Sequence, residues 1–186
     1  MALVVEDGTG KADAESYVSV AEVDTYLTTT ETLDATRAAL KATWDAGATT
    51  TANQEAACRE ATRYIEANYL DRFMGYKGTK AQALSWPRTG AADAYGWSVD
   101  ADVIPQVLKD ATAELALRAL SSSAAPDIAA GGGALSAKVV QAGSVRLEQA
   151  WSSGGARERA AYDRVDDLLR PLLTGGGTGV IELKRA

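Results

Sequence analysis

Residues 75–90, GYKGTKAQALSWPRTG, constrain the fold most strongly, because they interrupt helical patterns that lie on both sides of them. The glycines of this segment favour turns, since glycine adopts positive φ without steric cost. Pro87 fixes its own φ and restricts Trp86, which predicts a stiff, extended backbone beneath the indole. We interpret Trp86, Pro87 and Arg88, here named the staple, as a rigid connection between the two main helices. Trp86 is expected to pack inward, and Arg88 to reach a neighbouring element or subunit.

Apolar periodicity predicts a mainly α fold, a small bundle of roughly four to five helices with a short β-hairpin or extended loop and a flexible C-terminal arm. Helical spacing is found over residues 20–27, 33–46, 52–70, 102–119 and 156–169. Ser19 with Glu22 and Thr51 with Gln54 match the capping box that marks a helix start. The threonines at 28–30 are expected to end the first helix, because β-branched hydroxyl residues are weak helix formers.

Composition divides the chain into successive parts. We expect a helical core domain over residues 1–120, which opens with a short strand at 1–6. The sequence SSSAAPDIAAGGG predicts a linker at 121–133. The next two parts are predicted to be a hairpin or extended arm at 134–152 and a C-terminal helix within 153–174 that packs on the core. Residues 175–186 are expected to form a flexible arm, suited to docking on a neighbouring subunit by strand addition.

The chain offers little material for catalysis. It has no histidine and one cysteine, which excludes most nucleophile–base pairs and most zinc sites. Cys58 is expected to be a small buried apolar residue, Trp44 a core anchor, and Glu114 a rim carboxylate paired with a basic neighbour. No phosphate-binding GxxxxGK[ST] loop and no long apolar run occur. We therefore expect no enzymatic activity, no cofactor, no metal and no membrane association.

Charge is unevenly distributed along this acidic chain. The net charge is −6, and residues 1–100 hold nine Lys and Arg against fifteen Asp and Glu, whereas residues 101–186 hold ten of each. An acidic chain argues against a general nucleic-acid grip, which needs clustered cations. One window, residues 59–88, is basic, with six positive residues against three negative. Its cations and aromatic residues would suit a groove for single-stranded nucleic acid; they are Arg59, Arg63, Arg72, Lys77, Lys80, Arg88, Tyr69, Tyr76 and Trp86.

Several motifs occur in a fixed order over nearly the whole chain. They are VVEDGTG, SYVSVAEVDTYL, AACREATRYIE, YKGTKAQALSWPR, VIPQVLKDATAELA and AGSVRLE. In this combination the chain resembles the head–tail adaptor (connector, head completion) family of long-tailed bacteriophages. Members of that family often carry the label "DnaT-like single-stranded DNA-binding protein", and such DNA binding by residues 59–88 is the alternative function. The threonine-rich region at 28–53 departs from the usual family pattern.

The resemblance implies a structural virion protein, a mostly helical subunit in a ring of about twelve copies that matches the symmetry of the portal. The ring would lie in the virion neck beneath the portal protein, after synthesis in the bacterial host cytoplasm. It would extend the DNA channel and dock the next neck or tail protein, while genome DNA passes through the lumen without sequence-specific binding. The candidate contacts with an adjacent copy or with the portal are Arg88, Val145, Leu147, Val180, Ile181 and Leu183.

Overall fold

The structure, a computed structural model, describes residues 2–30, 32, 35–46, 49–93, 96–121, 137–142, 145–150 and 162–174. Over these residues the protein is mainly α-helical, which confirms the predicted fold class. The helices are α1 (Val20–Thr30), α2 (Ala35–Trp44), α3 (Thr51–Tyr69), α4 (Gln106–Ser121) and α5 (Asp163–Leu169). Short 3-10 helices follow α3 at Leu70–Arg72 and α5 at Arg170–Leu172. The strands are β1 (Tyr76–Lys77), β2 (Arg88–Thr89), β3 (Ala137–Ala142) and β4 (Val145–Ala150).

The chain divides into two compact units, residues 1–124 with 162–186, and residues 125–161. In the second unit β3 and β4 form an antiparallel hairpin, with Ala137 opposite Ala150 and Ala142 opposite Val145. This hairpin lies within the predicted range of 134–152. Val145 and Leu147 are on β4, and their role at an interface stays a prediction. The linker residues 122–133 and the C-terminal arm, with Val180, Ile181 and Leu183, lie outside the described residues.

The helix termini show which capping predictions were right. Ser19 caps α1 as predicted: its Oγ accepts the Glu22 N–H at 3.2 Å, and its own N–H donates to the Glu22 carboxylate at 2.7 Å. The cap of α3 is Thr50 rather than Thr51, and its Oγ1 accepts the Asn53 N–H at 3.3 Å. The predicted Thr51–Gln54 box is therefore wrong by one position.

Residues 28–30 continue α1 instead of ending it, so that prediction is wrong. The Thr28 and Thr30 hydroxyls donate to the carbonyls of Asp24 and Tyr26, each at 2.9 Å. A threonine that bonds back to the preceding turn satisfies its hydroxyl within the helix, and it therefore need not break it.

Glu6 folds the N-terminal segment into a loop, so the strand predicted at residues 1–6 is wrong. Its buried carboxylate accepts the backbone N–H groups of Gly8, Gly10 and Lys11, at 3.0, 2.9 and 2.8 Å. Gly8 has a φ of 102°, and a Cβ there would lie 1.8 Å from the Asp102 carbonyl oxygen. Glycine is therefore required at this contact, which joins the N-terminal loop to the segment before α4. A single parallel bridge between Val5 and Ser16 is the remnant of the predicted strand.

The core lies between α3 and α4, which pack against each other, and α5 packs on α4. Small residues permit this close packing, since Cys58 and Ala61 on α3 and Ala111 on α4 are fully buried. Trp44 is buried at the end of α2, which confirms its predicted position as a core anchor. Burial raises the pKa of the Cys58 thiol to about 12, so little reactive thiolate is present near neutral pH.

Glu114 was predicted at the rim, but its carboxylate lies in the core, where it joins four helices. Arg37 of α2 donates to it at 2.7 Å, and Tyr26 of α1 donates at 2.9 Å. Arg118 of α4 and Arg164 of α5 form ion pairs with it at 3.1 and 3.3 Å. A buried carboxylate needs such partners, because an unpaired buried charge is costly. We name these five residues the Glu114 cluster.

Candidate nucleic-acid interface

The staple is held inside the protein by α3 and the N-terminal segment. Trp86 is fully buried, and its ring meets Phe73 edge-on at a centroid distance of 5.9 Å. The backbone N–H of Trp86 donates to the Tyr17 hydroxyl at 3.2 Å, and that hydroxyl donates to the Glu66 carboxylate. Ser85 also donates to Glu66, through its hydroxyl at 2.6 Å. The Trp86–Pro87 peptide bond is cis, a feature that sequence analysis did not predict.

Burial and the adjacent Glu66 carboxylate raise the pKa of the Tyr17 phenol. The phenol therefore stays protonated near neutral pH and can donate to Glu66 while it accepts from Trp86. These consecutive hydrogen bonds, from Trp86 to Tyr17 and from Tyr17 to Glu66 of α3, hold the backbone of the staple in place.

Arg88 reaches a neighbouring element of its own chain. Its guanidinium donates to the carbonyls of Met74 and Gly75 at 2.8 and 2.6 Å, and its side chain is buried. Burial lowers the pKa of this guanidinium, although arginine still remains charged at neutral pH. Contact between Arg88 and another subunit stays a prediction, and burial of the side chain argues against it.

The nine residues predicted to form a nucleic-acid groove do not all lie on one exposed surface. Arg59 is engaged by Glu15 at 2.9 Å and by Glu55 at 3.6 Å. Arg88 and Trp86 are buried in the staple, and Tyr69 is buried with its hydroxyl on Asp166. Stacking a base on a buried ring is impossible, so the predicted platforms Trp86 and Tyr69 are wrong. The exposed members that remain are Arg63, Arg72, Lys77, Lys80 and Tyr76.

Most of these exposed members lie on residues 72–80, which we name the basic loop. From residue 72 to residue 92 the sequence has four positive side chains and no acidic one. Tyr76 is 81% exposed, and it pairs with Thr89 across the short β1–β2 ladder. Within the described residues, no carboxylate lies at ion-pair distance from Arg72, Lys77 or Lys80. These cations are therefore available to an anionic partner.

A glutamine makes the basic loop rigid. The Gln82 side chain accepts the Thr79 N–H at 2.8 Å and donates to the carbonyls of Leu84 and Pro87, each at 3.0 Å. The Gly78 N–H also donates to the Pro87 carbonyl, at 3.2 Å. Because the loop is held in place before any ligand arrives, binding would cost little conformational entropy.

An open groove of about 500 Å³ runs beside α3. It is lined by Ala14, Glu15, Arg59, Thr62, Arg63, Glu66, Ala67 and Leu84. Its carboxylates are engaged, Glu15 by Arg59 and Glu66 by Tyr17 and Ser85. Arg63 forms no ion pair within 4 Å among the described residues, but its charge is close enough to Glu15 to help lower the pKa of that carboxyl group. Lys77 Nζ of the basic loop donates to the carbonyl of Ala83 at 3.4 Å, and Ala83 precedes Leu84, which lines the groove.

Residues 93–102, which we name the acidic loop, present an exposed tryptophan that sequence analysis missed. Trp97 is 74% exposed. The Asp93 carboxylate accepts the Trp97 N–H at 2.9 Å, and the Asp93 N–H donates to the Trp97 carbonyl at 2.8 Å. The signal in the sequence is Gly96 before Trp97 with an aspartate earlier in the turn, which favours a tight turn rather than a core position.

Other kinds of site receive no support in the part of the chain that the structure describes. No group of three or more His, Cys, Asp or Glu side chains there is arranged to hold a metal ion. No described helix is both long enough and apolar enough to cross a membrane.

Fold and site together define a mainly helical protein with an ordered, cation-bearing aromatic loop beside an open groove. The family model described as "Putative DnaT-like ssDNA binding protein" matches residues 1–186, and the chain belongs to this family. Searches of curated proteins and of solved structures found no significant match. The family description agrees with the DNA-binding alternative more closely than with the adaptor role.

Proposed function

We propose that this protein binds single-stranded DNA through the basic loop and the groove wall at Arg63. The observation that carries the proposal is the basic loop itself, which holds Arg72, Lys77 and Lys80 without a carboxylate partner in the described residues and beside the exposed Tyr76. The membership of the chain in a family described as DnaT-like and single-stranded-DNA-binding supports it.

The chemistry of the loop suits a ligand with exposed phosphates and unstacked bases. The cations would contact the backbone phosphates, and Tyr76 would stack on a base, an interaction worth about 1–3 kcal/mol per base. Stacking and phosphate contacts do not read base edges, so we expect little sequence preference. Because the chain carries a net charge of −6, we expect the affinity to be modest and strongly dependent on salt.

Fluorescence anisotropy with labelled oligothymidylate tests the proposal. Four phosphate contacts would give a log–log slope of affinity against salt of about −3, since each contact on a single strand contributes about −0.7. Tyr76→Ala should weaken binding by roughly tenfold or more through the lost stacking. Trp97→Ala is the matched control, because that aromatic residue is exposed on the acidic loop, and we expect it to leave the affinity unchanged. Absence of binding at about 50 mM salt would contradict the proposal.

A second candidate is the head–tail adaptor ring, and the acidic balance of the chain favours it. A negatively charged lumen does not grip phosphates, so genome DNA could pass through it. The ordered motifs over nearly the whole chain support the same role, as does the burial of Trp86 and Tyr69, which removes two stacking platforms. In this role the partners are further copies in a ring, the portal protein and the next neck or tail protein, in the virion neck. Neither candidate function requires a catalytic residue or a cofactor.

Native mass measurement of the chain alone and with the portal of its phage tests the adaptor role. The adaptor role predicts a ring-shaped complex of about twelve copies bound to the portal. A chain that stays apart from the portal at every protein concentration would contradict this role. The two candidates are separated by adding oligothymidylate, which should bind the free chain only under the first proposal.

A further inference from the structure

The groove beside α3 contains two charged groups with hydrogen-bonding capacity that the fold does not use. Among the described residues, no hydrogen bond or ion pair engages the exposed guanidinium of Arg63. The half-buried Glu15 receives Arg59 and the Val4 N–H on one carboxylate oxygen, Oε2, at 2.9 and 3.5 Å. Its Oε1 accepts no hydrogen bond from the same part of the chain. The groove therefore offers one set of donors and one acceptor to a ligand.

The other polar groups that line the groove are engaged within the protein. The Glu66 carboxylate accepts from the Tyr17 hydroxyl and from both the N–H and the hydroxyl of Ser85. The Thr62 hydroxyl donates to the Ser16 hydroxyl at 3.3 Å and accepts the Tyr17 N–H at 3.4 Å. Apolar walls complete the lining, from Ala14, Ala67 and Leu84. Recognition of a ligand in this groove therefore falls to the two groups with unused capacity.

The fold places these two groups near each other without an ion pair. Arg63 lies one turn after Arg59 on the same face of α3, and Arg59 is the partner of Glu15. The hydrogen bond from Arg59 lowers the pKa of the Glu15 carboxyl group, and the charge of Arg63 contributes to the shift. Glu15 is therefore ionised near neutral pH and can only accept hydrogen bonds. A planar ligand that carries both acceptors and donors can lie between them.

We propose that the groove binds one guanine base of the DNA strand, and that Arg63 and Glu15 select this base. Arginine donates in a bidentate manner to the O6 and N7 acceptors of guanine, the commonest specific contact to a base. The N1–H and N2–H groups, on another edge of guanine, donate to Oε1 of Glu15. Thymine has no amino group for the carboxylate, and adenine places an amino donor beside N7, where it faces the arginine.

This inference rests on the proposed binding of single-stranded DNA, and it adds a base preference to that binding. The contacts of the basic loop are to phosphates and to the faces of bases, so they read no base edge. The groove volume of about 500 Å³ lies within the range of about 300–1,000 Å³ that is usual for ligand sites.

Cytosine is the competing base, since it also carries an amino donor and acceptors. All of these groups lie on one edge of cytosine, so their recognition requires an arginine and a carboxylate side by side. Arg63 and Glu15 form no ion pair, which favours a base that keeps its acceptors and its donors on different edges.

Fluorescence anisotropy at low salt compares oligothymidylate with the same oligomer carrying one central guanine, cytosine or adenine. The guanine oligomer should bind about tenfold more tightly than oligothymidylate, whereas the cytosine and adenine oligomers should bind like oligothymidylate. Two modified bases separate the contacts, because 7-deazaguanine lacks the N7 acceptor and hypoxanthine lacks the N2 amino group. Each of them should lose most of the gain in affinity.

Substitutions in the groove assign each contact to a residue. Arg63→Ala should bind the guanine and 7-deazaguanine oligomers equally, because the group that contacts N7 is absent. Glu15→Ala should bind the guanine and hypoxanthine oligomers equally for the corresponding reason. A side chain that served the fold alone would not produce these base-specific equalities. Circular dichroism checks that both variants keep the helical content of the unmodified chain.

Two matched controls lie outside the groove. Glu55→Ala removes another carboxylate that pairs with Arg59, and Arg170→Ala removes an exposed arginine that pairs with Asp167. Both controls should keep the full preference for guanine, even where the loss of a charge changes the overall affinity.

The possible failures of the two proposals differ. Equal affinity for the guanine and thymine oligomers would overturn the guanine assignment and leave the proposed function intact. A preference for cytosine, or a guanine preference that survives in both groove variants, would overturn the assignment in the same way. Absence of binding by every oligomer would contradict the proposed function, and the guanine assignment with it.

Discussion

The staple and the basic loop lie within a few residues of each other, yet they use the same residue types in opposite ways. In the staple, Trp86 is fully buried and Arg88 is bonded to backbone carbonyls of its own chain. In the basic loop, Tyr76 is exposed, and Lys77 and Lys80 have no carboxylate partner among the described residues. An aromatic residue beside a cation is therefore not in itself a sign of a nucleic-acid site. What distinguishes the two segments is burial, since Trp86 and Arg88 lie in the core whereas Tyr76 is exposed to solvent.

The largest effect on the free energy of unfolding is expected in the staple, the buried one of these two segments. Trp86→Ala would remove a fully buried indole and leave a cavity, which should lower the free energy of unfolding by about 3–5 kcal/mol. Urea unfolding measures the change. Trp97→Ala is the control, because an exposed indole should contribute within about 0.5 kcal/mol. A Trp86→Ala protein as stable as the unmodified chain would show that the segment is an interface rather than a staple.

The Glu114 cluster, which includes the buried Arg37, tests whether ion pairs to a buried carboxylate also serve the fold. Glu114→Gln keeps the shape but leaves Arg37, Arg118 and Arg164 facing a neutral group, and we expect destabilisation by about 3 kcal/mol. Thermal and urea unfolding measure this loss. Asp167→Asn removes a carboxylate from an exposed ion pair on α5 and should cost about 0.5 kcal/mol or less. Equal effects of the two substitutions would contradict the structural role of the cluster.

Stability at high pH reports on Tyr17 beneath the staple. Burial and Glu66 raise the pKa of this phenol in the folded state, so the folded protein holds its proton above pH 10, where an unfolded tyrosine loses it. The contribution is complete below about pH 10 and is lost as pH rises beyond it, by up to about 1.4 kcal/mol per pH unit. Urea unfolding between pH 8 and pH 11, compared with Tyr17→Phe, isolates this slope. A variant with the same slope as the unmodified protein would disprove the assignment.

The smallest effect on stability is expected at the basic loop. Lys77→Gln/Lys80→Gln changes two exposed side chains, and we expect each to alter the free energy of unfolding by no more than about 0.5 kcal/mol. The same urea unfolding experiment measures it. A loss as large as that of Trp86→Ala would mean that the basic loop is a structural element, and the comparison would fail.

The sequence was sufficient where local rules decide the structure. Helical periodicity located the helices, Ser19 marked the start of α1, and Pro87 beside Trp86 indicated a stiff segment with a packed indole. The sequence was insufficient where the partner of a side chain lies far away along the chain. Glu15 pairs with Arg59 across 44 residues, and Glu114 pairs with Arg37 across 77 residues, so neither of these pairs could be read from local spacing.

The sequence predicted which segment carries the candidate site, but it did not predict which residues of that segment are exposed. The window 59–88 does contain the exposed cations, but burial removed Arg88, Trp86 and Tyr69 from it. Trp97 was missed because it lies outside that window, and its exposure depends on a turn closed by Asp93. Periodicity reports only which residues share a face of an element, and it cannot report which loops remain at the surface after packing.

The most direct test of the central claim compares the DNA affinity of two variants with equal net charge. Lys77→Gln/Lys80→Gln removes two cations from the basic loop, and Lys41→Gln/Lys109→Gln removes two from α2 and α4, where they pair with carboxylates. At about 50 mM salt, oligothymidylate binding should fall by roughly tenfold or more in the first variant and change little in the second. Equal losses in the two variants would show that affinity follows net charge alone, and they would contradict a binding surface at the basic loop.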